Sequence, residues 1–212
     1  SVKQAVKSEE LYWYLGIVLA TSALIFFNIR SMYDSSFFTG VTSLFTVSSI
    51  ITTTGYVSLD YGTWPLFSRH ILIFLMFVGG CAGSTAGGIK VSRFVVLFKS
   101  ALNQIRKALN PLRVSVNKMD GKRVDKEVEE SINIYILVYI FLFIIFMLVV
   151  TLETNNFESA FSAVATTYNN VGPGLIDFGP VTSFEAMSKL SKLTLTFAML
   201  FGRLELYPMI LL

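Results

Sequence analysis

The sequence predicts an all-α membrane protein built from two repeats, each with a long apolar span, a short apolar helix and a second span. Of its 212 residues, 53% are hydrophobic and 15% are charged, whereas a soluble domain carries about 25% charged residues. The two halves align at a constant offset of 117 residues, the separation of Gly55 and Gly172. Repeats at a fixed offset predict two parallel units about an axis along the membrane normal, with both re-entrant loops on the same, extracellular side.

The first repeat begins with a span predicted over residues 11–29, which carry no charge. A helix of this length covers roughly 28 Å, close to the thickness of a bilayer core. Residues 37–51 form an apolar run that is too short to cross, so we expect a re-entrant helix there. The Asp-Ser-Ser sequence at 34–36 supplies its N-cap.

Glycines interrupt the next span. A helix is predicted from Pro65, in its first turn, to Val78, and helical sequence resumes at Ile89 and continues to about residue 109. Between them, residues 79–88 include five glycines, and irregular backbone at membrane depth is tolerated only in a cavity or inside protein. Glycines that pack helices are the alternative. A phosphate-binding loop is disfavoured, because Lys90 is not followed by Ser or Thr in the required pattern.

A basic linker joins the two repeats. Ten Lys and Arg residues occur from Lys90 to Lys126, and the next basic residue is Lys189. By the positive-inside rule, the linker at 99–130 is cytoplasmic, where it is also available to anionic lipid or a regulatory partner. Asp120-Gly121, between the β-prone segments 113–116 and 123–125, predicts a small hairpin.

The second repeat follows the same order. We expect a span over residues 132–152, a short helix over 157–167 with Thr154, Asn155 or Asn156 as its cap, and a last helix over 185–212. The predicted units are therefore one repeat at 1–109, a linker with a hairpin at 110–130 and a second repeat at 131–212.

Each short helix is followed by a Gly-containing segment that predicts a cation selectivity filter. A dehydrated cation needs oxygens in place of its water shell, and an extended strand offers consecutive carbonyls. Glycine permits the backbone angles that turn carbonyls inward, and the negative end of each helix favours a cation. A simple loop would explain one such segment but not two at matching positions. The predicted ion-binding residues are Thr52, Thr53, Thr54, Gly55, Tyr56, Asn169, Asn170, Val171 and Gly172.

Four sequence blocks resemble the Trk/Ktr/HKT superfamily of potassium transporters. They lie at residues 52–56, 79–90, 169–174 and 202–205. The glycine-rich block at 79–90 is the most specific, and its order and spacing resemble the bacterial Trk subunit. Chains of this superfamily carry four span–pore-loop–span repeats, and the two present here resemble the third and fourth.

The resemblance implies translocation of K⁺ across the cytoplasmic (inner) membrane, with K⁺ bound at the filter. It also implies that the glycine-rich loop obstructs the cytosolic half of the pore and that Arg203 projects into the cavity beneath the filter. Pairing of Arg203 with Glu205 or a lipid headgroup is the alternative. The implied gate consists of Gly79, Gly80, Cys81, Ala82, Gly83, Ser84, Thr85, Ala86, Gly87, Gly88, Lys90 and Arg203.

Two repeats supply half of a four-segment pore, which determines the expected partners. The resemblance implies an N-terminal half with two further repeats, a dimer of full-length chains and a cytosolic nucleotide-binding subunit. The lipid bilayer is a further expected partner. A chain that starts at Ser1 without Met or a signal peptide is expected for a fragment or a trimmed chain. A two-repeat channel that assembles as a homodimer, or a non-transporting scaffold, is the alternative.

Enzymatic chemistry is not predicted. His70 and Cys81 are the single residues of their types, and we expect both to pack rather than to bind a metal. We expect no catalytic residue, no covalent cofactor and no nucleic-acid partner. The repeat-related Asp60 and Asp177 are expected either to attract cations at the outer mouth or to cap local turns.

Overall fold

The computed structural model describes residues 8–110, 116–154 and 156–203. In its described residues, the first repeat has the helices α1 Glu9–Ile29, α2 Ser36–Ile51, α3 Leu66–Val78 and α4 Val91–Leu109. The second has α5 Lys126–Thr151, α6 Phe157–Tyr168 and α7 Lys189–Arg203. Strands β1 Lys118–Met119 and β2 Lys122–Arg123 pair antiparallel between the repeats. Single 3₁₀ turns occur at Arg30–Met32, Tyr61–Thr63, Ile176–Phe178 and Phe184–Ala186.

Two helices have the length and composition needed to cross a membrane within the described ranges. They are the segments Glu9–Met32, which includes α1, and Lys126–Thr151, which is α5. Both leave large apolar side chains uncovered: Leu19 is 64% exposed and Leu137 is 69% exposed. Such surfaces suit contact with lipid chains or with further helices. The apolar helices α2 and α3 are shorter.

The two short helices end at equivalent repeat positions, Ile51 and Tyr168. α6 begins one turn later than α2, and each helix starts at a capped residue. The Ser35 hydroxyl accepts a hydrogen bond from the Phe38 amide at 3.3 Å, and the Asn156 side chain accepts one from the Glu158 amide at 3.0 Å. Both predicted short helices are therefore confirmed, and Asn156 is the cap among the three candidates.

An aromatic cluster joins the two repeats in the core. Phe77, near the end of α3, packs 5.3 Å from Phe143 of α5 and 6.0 Å from Phe161 of α6, measured between ring centroids. Tyr139 and Tyr168 extend the cluster with rings 4.6 Å apart. Each such pair contributes about 0.5–1.5 kcal/mol beyond the apolar area that it buries. The cluster therefore fixes α3 of the first repeat against the short helix of the second.

Several predicted helix boundaries were wrong, and local structure explains two of them. α4 begins at Val91 rather than at Ile89, because Lys90 has a left-handed φ of 79° that no helix accommodates. α7 begins at Lys189, four residues later than predicted, because the Ser188 hydroxyl accepts hydrogen bonds from the first free amides of that helix. α5 begins six residues early, at Lys126. The predicted continuation of α7 over residues 204–212 lies outside the described residues.

The predicted hairpin is confirmed, with shorter strands than expected. Asp120 and Gly121 have φ values of 51° and 75°, the left-handed pair that a tight two-residue hairpin turn requires. Each strand has only two residues, and residues 113–115, predicted to flank the hairpin, lie outside the described part of the chain.

Helix α7 approaches the end of α6 so closely that only glycine fits at position 202. A Cβ atom on Gly202 would overlap the carbonyl oxygen of Tyr168. This contact places α7 directly behind the segment that follows α6.

We predict that Gly202→Ala destabilises the protein by about 1–3 kcal/mol, because an added methyl group at a packed contact forces the backbones apart. Thermal unfolding of the purified protein in detergent measures the change. Gly16→Ala on α1 is the matched control: a Cβ there meets nothing within 4 Å, so alanine raises stability by about 1 kcal/mol through helix propensity. Equal melting temperatures for Gly202→Ala and the unmodified protein would contradict the packing assignment.

Candidate functional site

The two predicted filter segments share one backbone geometry at positions 117 residues apart. Thr53 and Asn170 have left-handed φ values of 53° and 55°. The Thr53 amide donates to the carbonyl of Ile50, and the Asn170 amide donates to the carbonyl of Thr167, both at 3.0 Å. Each short helix therefore ends in the same left-handed turn, which starts an extended segment. The sequence does not signal this turn at Thr53, because a β-branched residue rarely adopts such a φ.

A side-chain hydroxyl ties the far end of each segment back to its helix. The Ser49 hydroxyl donates to the carbonyl of Tyr56 at 2.7 Å, and the Thr166 hydroxyl donates to the carbonyl of Pro173 at 3.0 Å. These donors and acceptors are again 117 residues apart. These two bonds were not predicted, although hydroxyl residues at matching repeat positions were the available signal in the sequence.

The two segments touch each other at Gly55. This residue has a φ of 74°, and a Cβ there would overlap the carbonyl oxygen of Val171 and lie 3.0 Å from the Pro173 ring. Its repeat partner, Gly172, has a φ of 106° but open space around the position of a Cβ. The segments therefore meet at Gly55, while no described atom beyond its immediate chain neighbours lies within 4 Å of the Cβ position on Gly172.

One cavity of about 510 Å³ brings the two segments together with α7. Five of the nine predicted filter residues line it: Thr53, Thr54, Asn170, Val171 and Gly172. Thr52 and Thr54 line a second cavity of about 370 Å³, which is also lined by Tyr14 and by Gly80, Cys81, Ser84, Thr85 and Ala86. Tyr56 is 71% exposed, and Asn169 is fully buried. The predicted filter residues thus lie close together, but some line a cavity, Tyr56 is exposed and Asn169 is buried.

The Asn169 and Asn170 side chains brace the second segment from behind. The Asn169 carboxamide accepts a hydrogen bond from the Tyr139 hydroxyl on α5 and donates to the carbonyl of Ala165 at 2.7 Å. The side-chain amide group of Asn170 donates to the carbonyl of Met199 on α7 at 3.1 Å. The second segment is therefore held between α5 and α7.

The glycine-rich loop at residues 79–88 closes on itself at its base. The Ile89 amide donates to the carbonyl of Phe77 at 2.9 Å, and the Val91 amide donates to the carbonyl of Gly80 at 3.0 Å. Gly79 has a φ of 69°, and a Cβ there would overlap the carbonyl oxygen of Gly87. A side chain at this crossing would separate the two ends of the loop.

Lys90 holds the interior of this loop. Its side chain is 5% exposed, and its ammonium group donates to the carbonyls of Ser84, at 2.9 Å, and Ala86. A buried ammonium ion needs such oxygen partners to offset the loss of its hydration. The loop is thus folded around its own lysine.

The loop contacts both filter segments and α7. The Gly87 amide donates to the Thr53 hydroxyl at 3.0 Å, and a Cβ on Gly87 would overlap the carbonyl oxygen of Asn169. The Arg203 guanidinium donates to the carbonyl of Thr85 at 2.6 Å. Arg203 therefore lies against the loop, whereas Glu205, its alternative partner, lies outside the described residues.

The remaining polar candidates have local structural roles. The Asp60 carboxylate accepts from the Gly62 amide at 2.9 Å, and Asp177 accepts from the Ser159 hydroxyl. His70 contacts the carbonyl of Leu66 one turn earlier on α3. In the described residues, no group of three or more His, Cys, Asp or Glu side chains is placed to hold a metal ion.

Comparison with known proteins identifies the family. The TrkH family profile, described as a cation transport protein, matches residues 13–212. The chain belongs to the TrkH family. The Trk system potassium uptake protein TrkH of Salmonella typhimurium is 34% identical over 218 residues, which cover 100% of this chain and 44% of that relative. The TrkH of Vibrio parahaemolyticus is 36% identical over 171 residues, covering 80% of this chain and 35% of that protein.

The crystal structure of the potassium transporter TrkH from Vibrio parahaemolyticus matches with a TM-score of 0.88 and 32% identity. The match covers 97% of this chain and 44% of that one, so the chain spans less than half the length of these TrkH relatives. The likeness confirms the predicted fold class, an all-α membrane protein with two span–pore-loop–span repeats.

Proposed function

We propose that this chain contributes two of the four filter segments of a potassium-conducting pore in the cytoplasmic membrane. The observation that carries the proposal is the convergence of two geometrically equivalent segments on one cavity, each at the C-terminal end of a short helix. The TrkH relatives are named potassium uptake proteins. Gly55 and Gly172 also favour K⁺ over a mixed selectivity.

The chemistry of the segments suits a dehydrated monovalent cation. The filter residues on the cavity wall carry backbone carbonyls and, in Thr53 and Thr54, hydroxyl groups, and neutral oxygens of this kind replace the water shell of K⁺. The C-terminal ends of α2 and α6 each add a partial charge of about −0.5 beside the filter. This combination attracts a cation without the strong binding that a carboxylate cluster would impose.

In this proposal, the loop at residues 79–88 is the gate. The loop lies against the filter, through Gly87 and Thr53, and Arg203 is bonded to it. A glycine-rich backbone is free of the side chains that would prevent it from approaching the pore axis and moving away. The positive charge of Arg203 adds an electrostatic barrier to cations beneath the filter.

The proposed partners follow from a pore that needs four segments. Residues beyond this chain would provide two further repeats as an N-terminal half, and full-length chains would associate as dimers. A cytosolic nucleotide-binding subunit would dock at the basic linker and control the gate. The open side of Gly172 and the uncovered apolar faces of α1 and α5 suit contact with such additional helices.

We predict that Gly55→Ser in the full-length protein relaxes K⁺ over Na⁺ selectivity or abolishes uptake, because its Cβ would meet the Val171 carbonyl in addition to the strain at positive φ. Gly172→Ser should have a smaller effect, since the same strain occurs there in open space. Measurements of Rb⁺ and Na⁺ uptake in vesicles compare the two, with Gly16→Ser as a control outside the filter. Unchanged discrimination in a folded Gly55→Ser protein would refute the filter.

We predict that Arg203→Ala raises K⁺ flux, because the barrier charge and the bond to Thr85 are both lost. Arg203→Lys should stay near the original flux, since the charge is retained, and Lys189→Ala at the exposed start of the same helix should change nothing. Flux in reconstituted vesicles and the yield of folded protein are measured together. Parallel losses of flux and folding would make Arg203 a structural anchor instead.

The requirement for two further repeats gives a separate prediction. This chain, purified alone and reconstituted, should conduct no K⁺, whereas co-expression with the N-terminal half of a TrkH relative should restore flux. Selective K⁺ flux from this chain alone, together with a dimeric mass, would instead establish the homodimeric channel.

A further inference from the structure

The carboxylate of Glu10 accepts hydrogen bonds from two backbone amides, one in the glycine-rich loop and one in the helix that follows it. One oxygen of Glu10, in the first turn of α1, accepts hydrogen bonds from the Ala82 amide at 2.7 Å and from the Ser92 amide at 3.1 Å. Ala82 lies near the start of the loop, and Ser92 lies in the first turn of α4. The two bonds join segments 72 and 82 residues away from Glu10.

The need for this carboxylate arises from the N-terminus of α4. The first amides of a helix have no partner within the helix and are usually satisfied by a Ser, Thr, Asp or Asn side chain at the N-cap. Here the N-cap is Lys90, which makes no capping bond and whose ammonium group is directed to the loop carbonyls. Glu10 therefore supplies the acceptor that the chain lacks locally, and its charge suits the positive end of the helix.

The same turn of α1 is held by the hairpin of the predicted cytoplasmic linker. The Glu9 amide donates to the Asp120 carboxylate at 2.6 Å, and the Asp120 amide donates to the Glu9 carboxylate at 3.4 Å. Lys99 of α4 forms an ion pair with Glu9 and donates to the carbonyl of Lys118 at 2.8 Å. Ser8, the N-cap of α1, makes no side-chain capping bond, so Asp120 replaces it.

We propose that Glu10 is a positioning residue that latches the loop beneath the filter, and that the Asp120 hairpin holds this latch in place. Displacement of the loop must break the bond from Ala82, while Ser92, within α4, keeps its bond to Glu10. Glu9 contacts the hairpin and Glu10 contacts the loop, and both lie in the first turn of α1. A displacement of the hairpin that moves this turn therefore also moves the acceptor of the Ala82 bond. The inference rests on the proposed role of the loop as a gate.

Cys81, next to the latched amide and the single cysteine of this chain, provides a readout that does not depend on flux. The experiment uses the full-length protein in inside-out vesicles, with cysteines elsewhere replaced by serine. The rate at which a charged methanethiosulfonate reagent modifies Cys81 is measured beside K⁺ flux. We expect Glu10→Ala to increase both by about tenfold, the effect of losing one charge-assisted hydrogen bond.

Three further variants separate a latch from a general structural role. Glu10→Gln keeps an acceptor oxygen and should fold normally, with a smaller increase in both rates. Asp120→Ala should act in the same direction, and its combination with Glu10→Ala should give less than the product of the two effects. Glu130→Gln should leave both rates unchanged, because this exposed carboxylate on α5 makes no hydrogen bond within the described ranges.

The outcomes distinguish the latch from the gate. A higher Cys81 rate with unchanged flux would retain the latch and refute the loop as the gate. If deletion of loop residues raises flux while folded Glu10→Ala and Glu10→Gln proteins keep the original Cys81 rate, the gate stands and the latch is overturned. Reduced thermal stability of both variants without any change in Cys81 modification would also overturn the latch.

Discussion

Backbone polar groups at membrane depth must be satisfied within the protein, and the structure around the filter depends on this constraint. Each unsatisfied amide or carbonyl in hydrocarbon costs several kcal/mol, yet the filter segments and the glycine-rich loop form neither helix nor sheet. Hydrogen bonds to side chains take the place of the backbone hydrogen bonds that a helix or sheet would supply. The Ser49 and Thr166 hydroxyls donate to carbonyls at the ends of the two segments, and the Thr53 hydroxyl accepts from the loop amide of Gly87.

Two side chains of opposite charge, Lys90 and Glu10, satisfy backbone groups of the glycine-rich loop. Lys90 donates to loop carbonyls from inside, and Glu10 accepts from amides at its ends. Each charge thus binds backbone groups rather than the other charge, which offsets its own desolvation and that of the groups it contacts. Bonds of this kind contribute about 1.5–3 kcal/mol each. An irregular loop held by a few such bonds has one discrete bonded arrangement, which a small displacement can break.

The sequence predicted those features that depend on local patterns or on the repeat. Runs of apolar residues located the helices, and the 117-residue offset located the two equivalent segments that follow the short helices. The left-handed turn at Thr53 was not predictable, because its residue type disfavours that conformation and only the surrounding bonds impose it. The Glu10–Ala82 and Tyr139–Asn169 bonds were also missed, since polar side chains far apart in sequence reveal no partner until the helices are packed.

The two repeats differ where their filter segments meet, because the equivalent glycines at 55 and 172 have different surroundings. Gly55 is enclosed by Val171 and Pro173, whereas Gly172 faces open space. In a ring of four equivalent segments, each glycine would contact the next segment in one rotational direction. In the proposed pore, the Gly55 contact would be one such interface, and the open space beside Gly172 would be the place of the next. The cavity beside Thr53 and Asn170 is lined by both segments and by α7, and in the proposed pore the two further segments would complete its wall.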